Sequence, residues 1–230
     1  MTWHFSSRLF ALSILVVNST HAQAQFTGEL SLLPAGCEQA GQCKLKNNIV
    51  FIDDAGLVWQ AAAGLITDGA SIPGVFQPFV GTPFEPSFIR AAVVHDHYCD
   101  RHVRPWRSTH RVFYEGLVAQ GVPMANAKVM YLAVVLGGPK WIQLIAGKNC
   151  GKNCINQIKT SSGMPGFIAR KADYTAPDLQ PELQRLAHDL KANPDALTLA
   201  DIDARAKLLR PNDYYFVKGS QLVVDEPNMF

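Results

Sequence analysis

Between Leu30 and Ala62 the apolar positions come in short runs, Leu30 to Leu33, Asn48 to Ile52 and Leu57 to Ala62, separated by polar and turn residues. Runs of this length read as strands, and Asp53-Asp54-Ala55-Gly56 between the last two reads as a hairpin turn. From residue 87 the period changes to that of helices: Ser87 to about Val103, Ser108 to about Gln120 and Met124 to about Leu136. Ser108 is the expected N-cap of the second, Pro123 suits a first turn, and Gly121 and Gly137-Gly138-Pro139 punctuate the ends. Connections this short make neighbouring helices antiparallel. The first two should meet through Ala91, Val94, His95 and Tyr98 on one side and Phe113, Tyr114 and Leu117 on the other.

Thr67 to Pro73 reads as a shaped loop, and Pro78 to Pro86 holds too many prolines for a regular element. Beyond Cys154 the chain turns polar and proline-dotted, an extended link to an appendage. Amphipathic helices are expected there at Pro181 to Ala192 and Thr198 to Leu209, then a hairpin of Tyr214 to Val217 with Gln221 to Val224. The expected fold is α+β and mainly α: an antiparallel helix core, a small N-terminal antiparallel β segment and a C-terminal helix and hairpin appendage.

Residues 1–24 read as a signal peptide, with Arg8 before the apolar run Leu9 to Val17 and a cleavage site at Ala22-Gln23-Ala24. About nine apolar residues are too few to span a bilayer, which needs roughly 20. The chain is therefore expected to be exported, periplasmic or secreted, without a transmembrane segment. Residues 25–154 form the core domain and 155–230 the linker and appendage. The formal charge is +2 over 230 residues, too near neutral for nucleic-acid steering. In an oxidising compartment Cys37 with Cys43 and Cys150 with Cys154 are the local disulfide pairings, leaving Cys99 alone. Cys150 and Cys154 as a zinc clip would need two further ligands, and none is near in sequence.

Candidate chemistry centres on His95-Asp96, behind the apolar run Ile89 to Val94. A base and an acid are costly to bury unless something uses or satisfies them. Adjacent helical residues point about 100° apart, so the two need separate partners. His110 on the second helix can meet His95, and Asp68 lies in the loop passing near Asp96. Asp96, Asp68 and the Gly69 carbonyl suit a hard cation such as calcium. Each has a plainer reading: His95 as a satisfied core histidine, Asp68 as a turn residue, and Tyr98 as a packed tyrosine with its hydroxyl bonded to a neighbour. His97, Arg101 and His102 read as a solvated helix face. Phe79, Trp106 and Trp141 could form an apolar rim for lipid or be isolated aromatics.

Thr67-Asp68-Gly69-Ala70-Ser71-Ile72-Pro73, Ala91-Ala92-Val93-Val94-His95-Asp96 with Tyr98, the Phe113/Glu115 helix and Met130-Tyr131 with Gly137-Gly138 resemble the bacterial and prophage domain-of-unknown-function family 1353, over about Ile66 to Gly138. The order Thr67-Asp68, then His95-Asp96 with Cys99, then Phe113 and Glu115, then Tyr131, Ala133, Val134 and Gly137 also resembles the secreted prokaryotic phospholipases A2. That second resemblance implies a phospholipase A2-like core hydrolysing lipid esters. It makes His95 the general base, Asp96, Asp68 and Gly69 the calcium ligands, and His110 and Tyr98 further members of the catalytic set.

The chain departs from that pattern at one position: His110 stands where such lipases place the aspartate that orients the base. A neutral imidazole supports an imidazolium less well than a carboxylate does. Asp100 or Glu115 could substitute, or His95, Asp96 and His110 could bind a transition metal. A non-catalytic envelope or phage-related binding module on the same scaffold is the alternative from another functional class.

Overall fold

The computed structural model describes residues 24–70, 81–146 and 166–224. Among them the chain forms nine strands, six α-helices and a 3-10 turn at Cys37–Ala40, a mixed α+β fold. Residues 1–23 of the expected signal peptide, Ser71 to Pro73, Phe79, Cys150 and Cys154 lie outside the described residues.

Strands β1 (Gln25–Thr27), β4 (Ile49–Ile52) and β5 (Val58–Ala61) form one antiparallel sheet. Strands β2 (Leu32–Leu33), β3 (Cys43–Leu45) and β6 (Ile66–Thr67) form a second. The turn between β4 and β5 falls where the pattern predicts it, and Asp53 builds it. Its Oδ1 accepts from the Ala55 and Leu57 amides at 3.0 and 2.7 Å, and its Oδ2 from Trp59 Nε1 at 2.8 Å. Strand alternation then turns Ile49, Phe51, Trp59 and Ala61 inward. A Cys37–Cys43 disulfide closes the 3-10 turn, and Cys99 is a free thiol.

Three helices follow, α1 (Ile89–Arg101), α2 (Trp106–Ala119) and α3 (Met124–Gly137). α2 begins at Trp106, with Pro105 in the cap position, so Ser108 lies inside the first turn and is not the N-cap. Antiparallel packing of α1 on α2 is fixed by two contacts: His95 meets His110, and the Ala91 amide donates to Gln120 Oε1 at 2.8 Å. α3 is apolar on every side, and such a helix has to be covered all round. Met130 and Val134 enter the core made by α1, α2 and the two sheets. Tyr131, Leu132 and Val135 enter a second core with α4 (Leu179–Ala192) and α5 (Leu199–Leu209).

The C-terminal part departs from expectation in two places. Tyr214 to Val217 is not a strand but most of a short helix, α6 (Tyr214–Lys218). Asp213 caps it through the Tyr215 amide at 2.9 Å, and burial of Tyr215 and Phe216 outweighs their strand preference. Strand β9 (Gln221–Val224) pairs in parallel with β7 (Lys140–Ala146), on whose other side lies β8 (Phe167–Arg170), antiparallel. A sheet thus stands where a link and a hairpin are expected.

Three surface expectations also change. Trp106 and Trp141 are fully buried and form no rim, and Trp141 Nε1 donates to the Arg104 carbonyl at 2.7 Å. His97 is buried too, and His102 is half-buried between Trp141 and Phe167, whereas Arg101 is exposed. Among the described residues, no helix is long and apolar enough to cross a membrane.

Candidate functional site

α1 and α2 bring His95 and His110 together across their interface. Both are buried, and His95 Nε2 lies 2.9 Å from His110 Nδ1. Phe113, one turn after His110, stacks on the His95 ring with centroids 4.8 Å apart. The pair is therefore held by packing as well as by its hydrogen bond. Burial pushes His110 well below the ordinary imidazole pKa, and the neighbouring His95 and Lys140 add to this. Against them, the Pro139 carbonyl favours a proton on the ring. His110 Nε2 is buried without a well-formed hydrogen bond.

The opposite edge of His95 faces Asp96, with Nδ1 to Oδ1 at 3.9 Å. This is too long for a hydrogen bond but close enough for electrostatic contact. Asp96 Oδ2 accepts from the Thr67 hydroxyl at 2.7 Å, and that same hydroxyl accepts from the Gly69 amide at 3.0 Å. Thr67 thereby fastens the Asp68 loop to α1. Gly69 has φ +80°, and a Cβ there would lie 2.3 Å from the Pro83 carbonyl oxygen, so only glycine fits. Partial burial, then the neighbouring Asp96, raises the Asp68 pKa; Asp100 is raised by burial, then by Asp96 and Asp68. Three carboxylates thus share one region, and among the described residues neither Asp68 nor Asp100 has an ion-pair partner.

His95, Asp96, Asp68 and Asp100 line a cavity of about 370 Å³. Phe113, Met130, Val134 and Leu183 supply much of its apolar wall. Cys99, absent from the expected set, also lines it, one turn after His95 on α1. Its sulfur lies 3.5 Å from His95 Nε2 and 3.8 Å from Nδ1. Near-equal distances put it beside the ring, in front of neither lone pair. Burial, then Asp96 and Asp100, holds this thiol well above the usual range, so it is neither an activated nucleophile nor a ready thiolate ligand.

The donor atoms of His95, Cys99 and His110 lie within 4.8 Å of one another. A tetrahedral ion, however, needs lone pairs converging on one point. Nor do Asp96 and His110 converge for a transition metal, because they face opposite nitrogens of His95.

Tyr98 is turned away from the cavity. It packs edge-on against Trp59 at 4.7 Å, and its hydroxyl accepts from the Gln60 amide at 3.1 Å. This is a fold-building role, not a catalytic one. Glu115 does not reach the histidine pair either; its carboxylate accepts from the Asp54 amide at 3.3 Å, and burial raises its pKa to about 7. Thr67 was legible as the first residue of the Thr-Asp-Gly motif, but its role depends on a contact 29 residues away.

Fold and site define a mixed α+β protein with a buried histidine pair at the wall of a partly open cavity beside a carboxylate cluster. The chain belongs to the family described as "Protein of unknown function (DUF1353)", whose model matches residues 43–134. It is 38% identical over 206 residues to the uncharacterized protein y4iH of Sinorhizobium fredii (strain NBRC 101917 / NGR234), covering 87% of this chain and 86% of that protein. It is also 39% identical over 142 residues to the uncharacterized protein y4jT of the same organism, covering 59% of this chain and 42% of that protein. No solved structure matches the chain.

Proposed function

We propose that the protein is an exported, calcium-assisted ester hydrolase acting on lipid, with a phospholipase A2-like helix core and His95 as its general base. The observation that carries this reading is the His95–His110 hydrogen bond at the cavity wall. It occupies Nε2 of His95 and leaves Nδ1 on the side of the carboxylates. In the tautomer that carries the His110 proton on Nε2, His110 Nδ1 accepts from His95 Nε2–H. His95 Nδ1 is then bare and able to take a proton from water.

The donor chemistry suits calcium: among the described residues Asp96 Oδ1 accepts no hydrogen bond and Asp68 has no basic partner, and both are hard oxygen ligands. Asp96, Asp68 and the Gly69 carbonyl would hold the ion. When bound, it supplies a Lewis acid for the ester carbonyl. His95 removes the proton from the attacking water, Phe113 and His110 keep its ring in place, and the apolar wall shelters the acyl group from solvent.

His110 also favours a second reading, a non-catalytic binding module, because a neutral imidazole gives a charged His95 little support. Purified chain lacking residues 1–24, incubated with phosphatidylglycerol vesicles, separates the two. The hydrolase releases fatty acid with calcium and not with chelator; the absence of release under both conditions overturns it. In parallel, calcium at about a hundred times its Kd should stabilise the fold by about 2.7 kcal/mol, and Asp96→Asn should remove that response.

A further inference from the structure

The segment 171–178, between β8 and α4, crosses the C-terminal end of α3. The Asp173 amide donates to the Gly137 carbonyl at 2.7 Å, which ties the crossing chain to the helix end. Asp173 Oδ1 accepts from both the Thr175 amide and the Thr175 hydroxyl, at 2.9 and 2.7 Å. Such a turn fixes the backbone on either side of Tyr174. The Tyr174 ring then lies on Gly137: a Cβ there would sit 2.7 Å from Tyr174 Cδ1 and 2.9 Å from the Asp173 carbonyl oxygen. Only a glycine at 137 lets the crossing segment come this close.

Ala172 and Tyr174 line the same cavity as His95, Asp96 and Cys99. On its other side Tyr174 packs against the core formed by α3, α4 and α5. Burial, and then the nearby Cys99, Asp96 and Asp68, keeps its phenol protonated. The ring is thus an anchored, neutral wall facing a cavity with acidic groups at one side and aliphatic groups at another. Neutral apolar groups suit such a space, and anions do not. Tyr174 also lies outside residues 43–134, so this wall comes from beyond the matched family segment.

We propose that Tyr174 is a specificity-determining residue: it sets the size of the apolar group admitted beside His95. The substrate side of this proposal, an ester with a neutral acyl chain, rests on the hydrolase reading above. The chain lacking residues 1–24 is assayed with p-nitrophenyl acetate, octanoate and palmitate, as wild type, Tyr174→Phe and Tyr174→Ala. Tyr174→Ala should raise the palmitate-to-octanoate ratio of kcat/KM about tenfold or more, and Tyr174→Phe should keep the wild-type ratio. A purely structural role would lower all three kcat/KM values together and leave the ratios alone, which overturns the proposal. So does a phenylalanine variant that behaves like alanine.

If the wild type cleaves none of the esters, the hydrolase reading fails, and binding of the neutral fluorophore N-phenyl-1-naphthylamine decides the role of Tyr174. Ala133→Trp, which fills the cavity, should abolish binding. Tyr174→Ala should change the Kd several-fold, and Tyr174→Phe should leave it unchanged. Equal affinity in all forms, or no binding to wild type, overturns the proposal.

Discussion

His95 and Asp96 are adjacent in sequence but do separate jobs, because a helix points neighbours about 100° apart. His95 bonds to α2 through His110, and Asp96 to the β6 end through Thr67. That division was legible from the helical period. The plainer reading of Tyr98, packed with its hydroxyl bonded to a neighbour, was legible too, but its partners were not, since Trp59 and the Gln60 amide arrive from a distant strand. His97 carries a prediction of its own. Burial, and secondarily Arg101, lowers its pKa from 6.5 to about 4. The unfolded chain therefore binds a proton at pH values where the folded chain does not, and stability should fall as pH drops from 6.5 toward 4. Urea melts across that window should show a shallower loss for His97→Gln than for the parent; identical slopes would contradict the assignment.

At the level of elements, periodicity located α1, α3, α4 and α5 closely, whereas capping decided what periodicity could not. Thr198 forms a reciprocal capping box with Asp201 at the start of α5: its hydroxyl accepts from the Asp201 amide, and the Asp201 carboxylate accepts from the Thr198 amide at 2.8 Å. Thr198→Ala should cost about 1 kcal/mol in thermal or denaturant unfolding, and no measurable loss would show that the box is redundant. Strand β7 escaped the sequence reading because Lys140 to Ala146 follows directly on Gly137-Gly138-Pro139, and its pairing partners lie in distant parts of the chain. The reading of Tyr214 to Val217 as a strand failed for a similar reason: one aspartate cap and two buried rings outweighed local preference.

Across the whole molecule, α3 joins two cores. The segment expected to be an appendage covers its second face, with Leu186 and Leu190 fully buried beside Leu132. That union was hidden because α3 shows no polar side from which its exposure could be judged. Leu186→Ala should cost about 2–5 kcal/mol, and a single cooperative transition losing that much would show that the C-terminal helices melt with the core. Two separated transitions, with only the minor one shifted, would contradict it.

His95 is the proposed base, in a cavity lined by both halves of the chain. The direct measurement is fatty-acid release from phosphatidylglycerol vesicles at saturating calcium, comparing wild type with His95→Gln. Loss of the base should lower kcat by about 10²–10⁴-fold while leaving the melting temperature close to that of the parent. Equal rates for the two folded proteins would contradict the account.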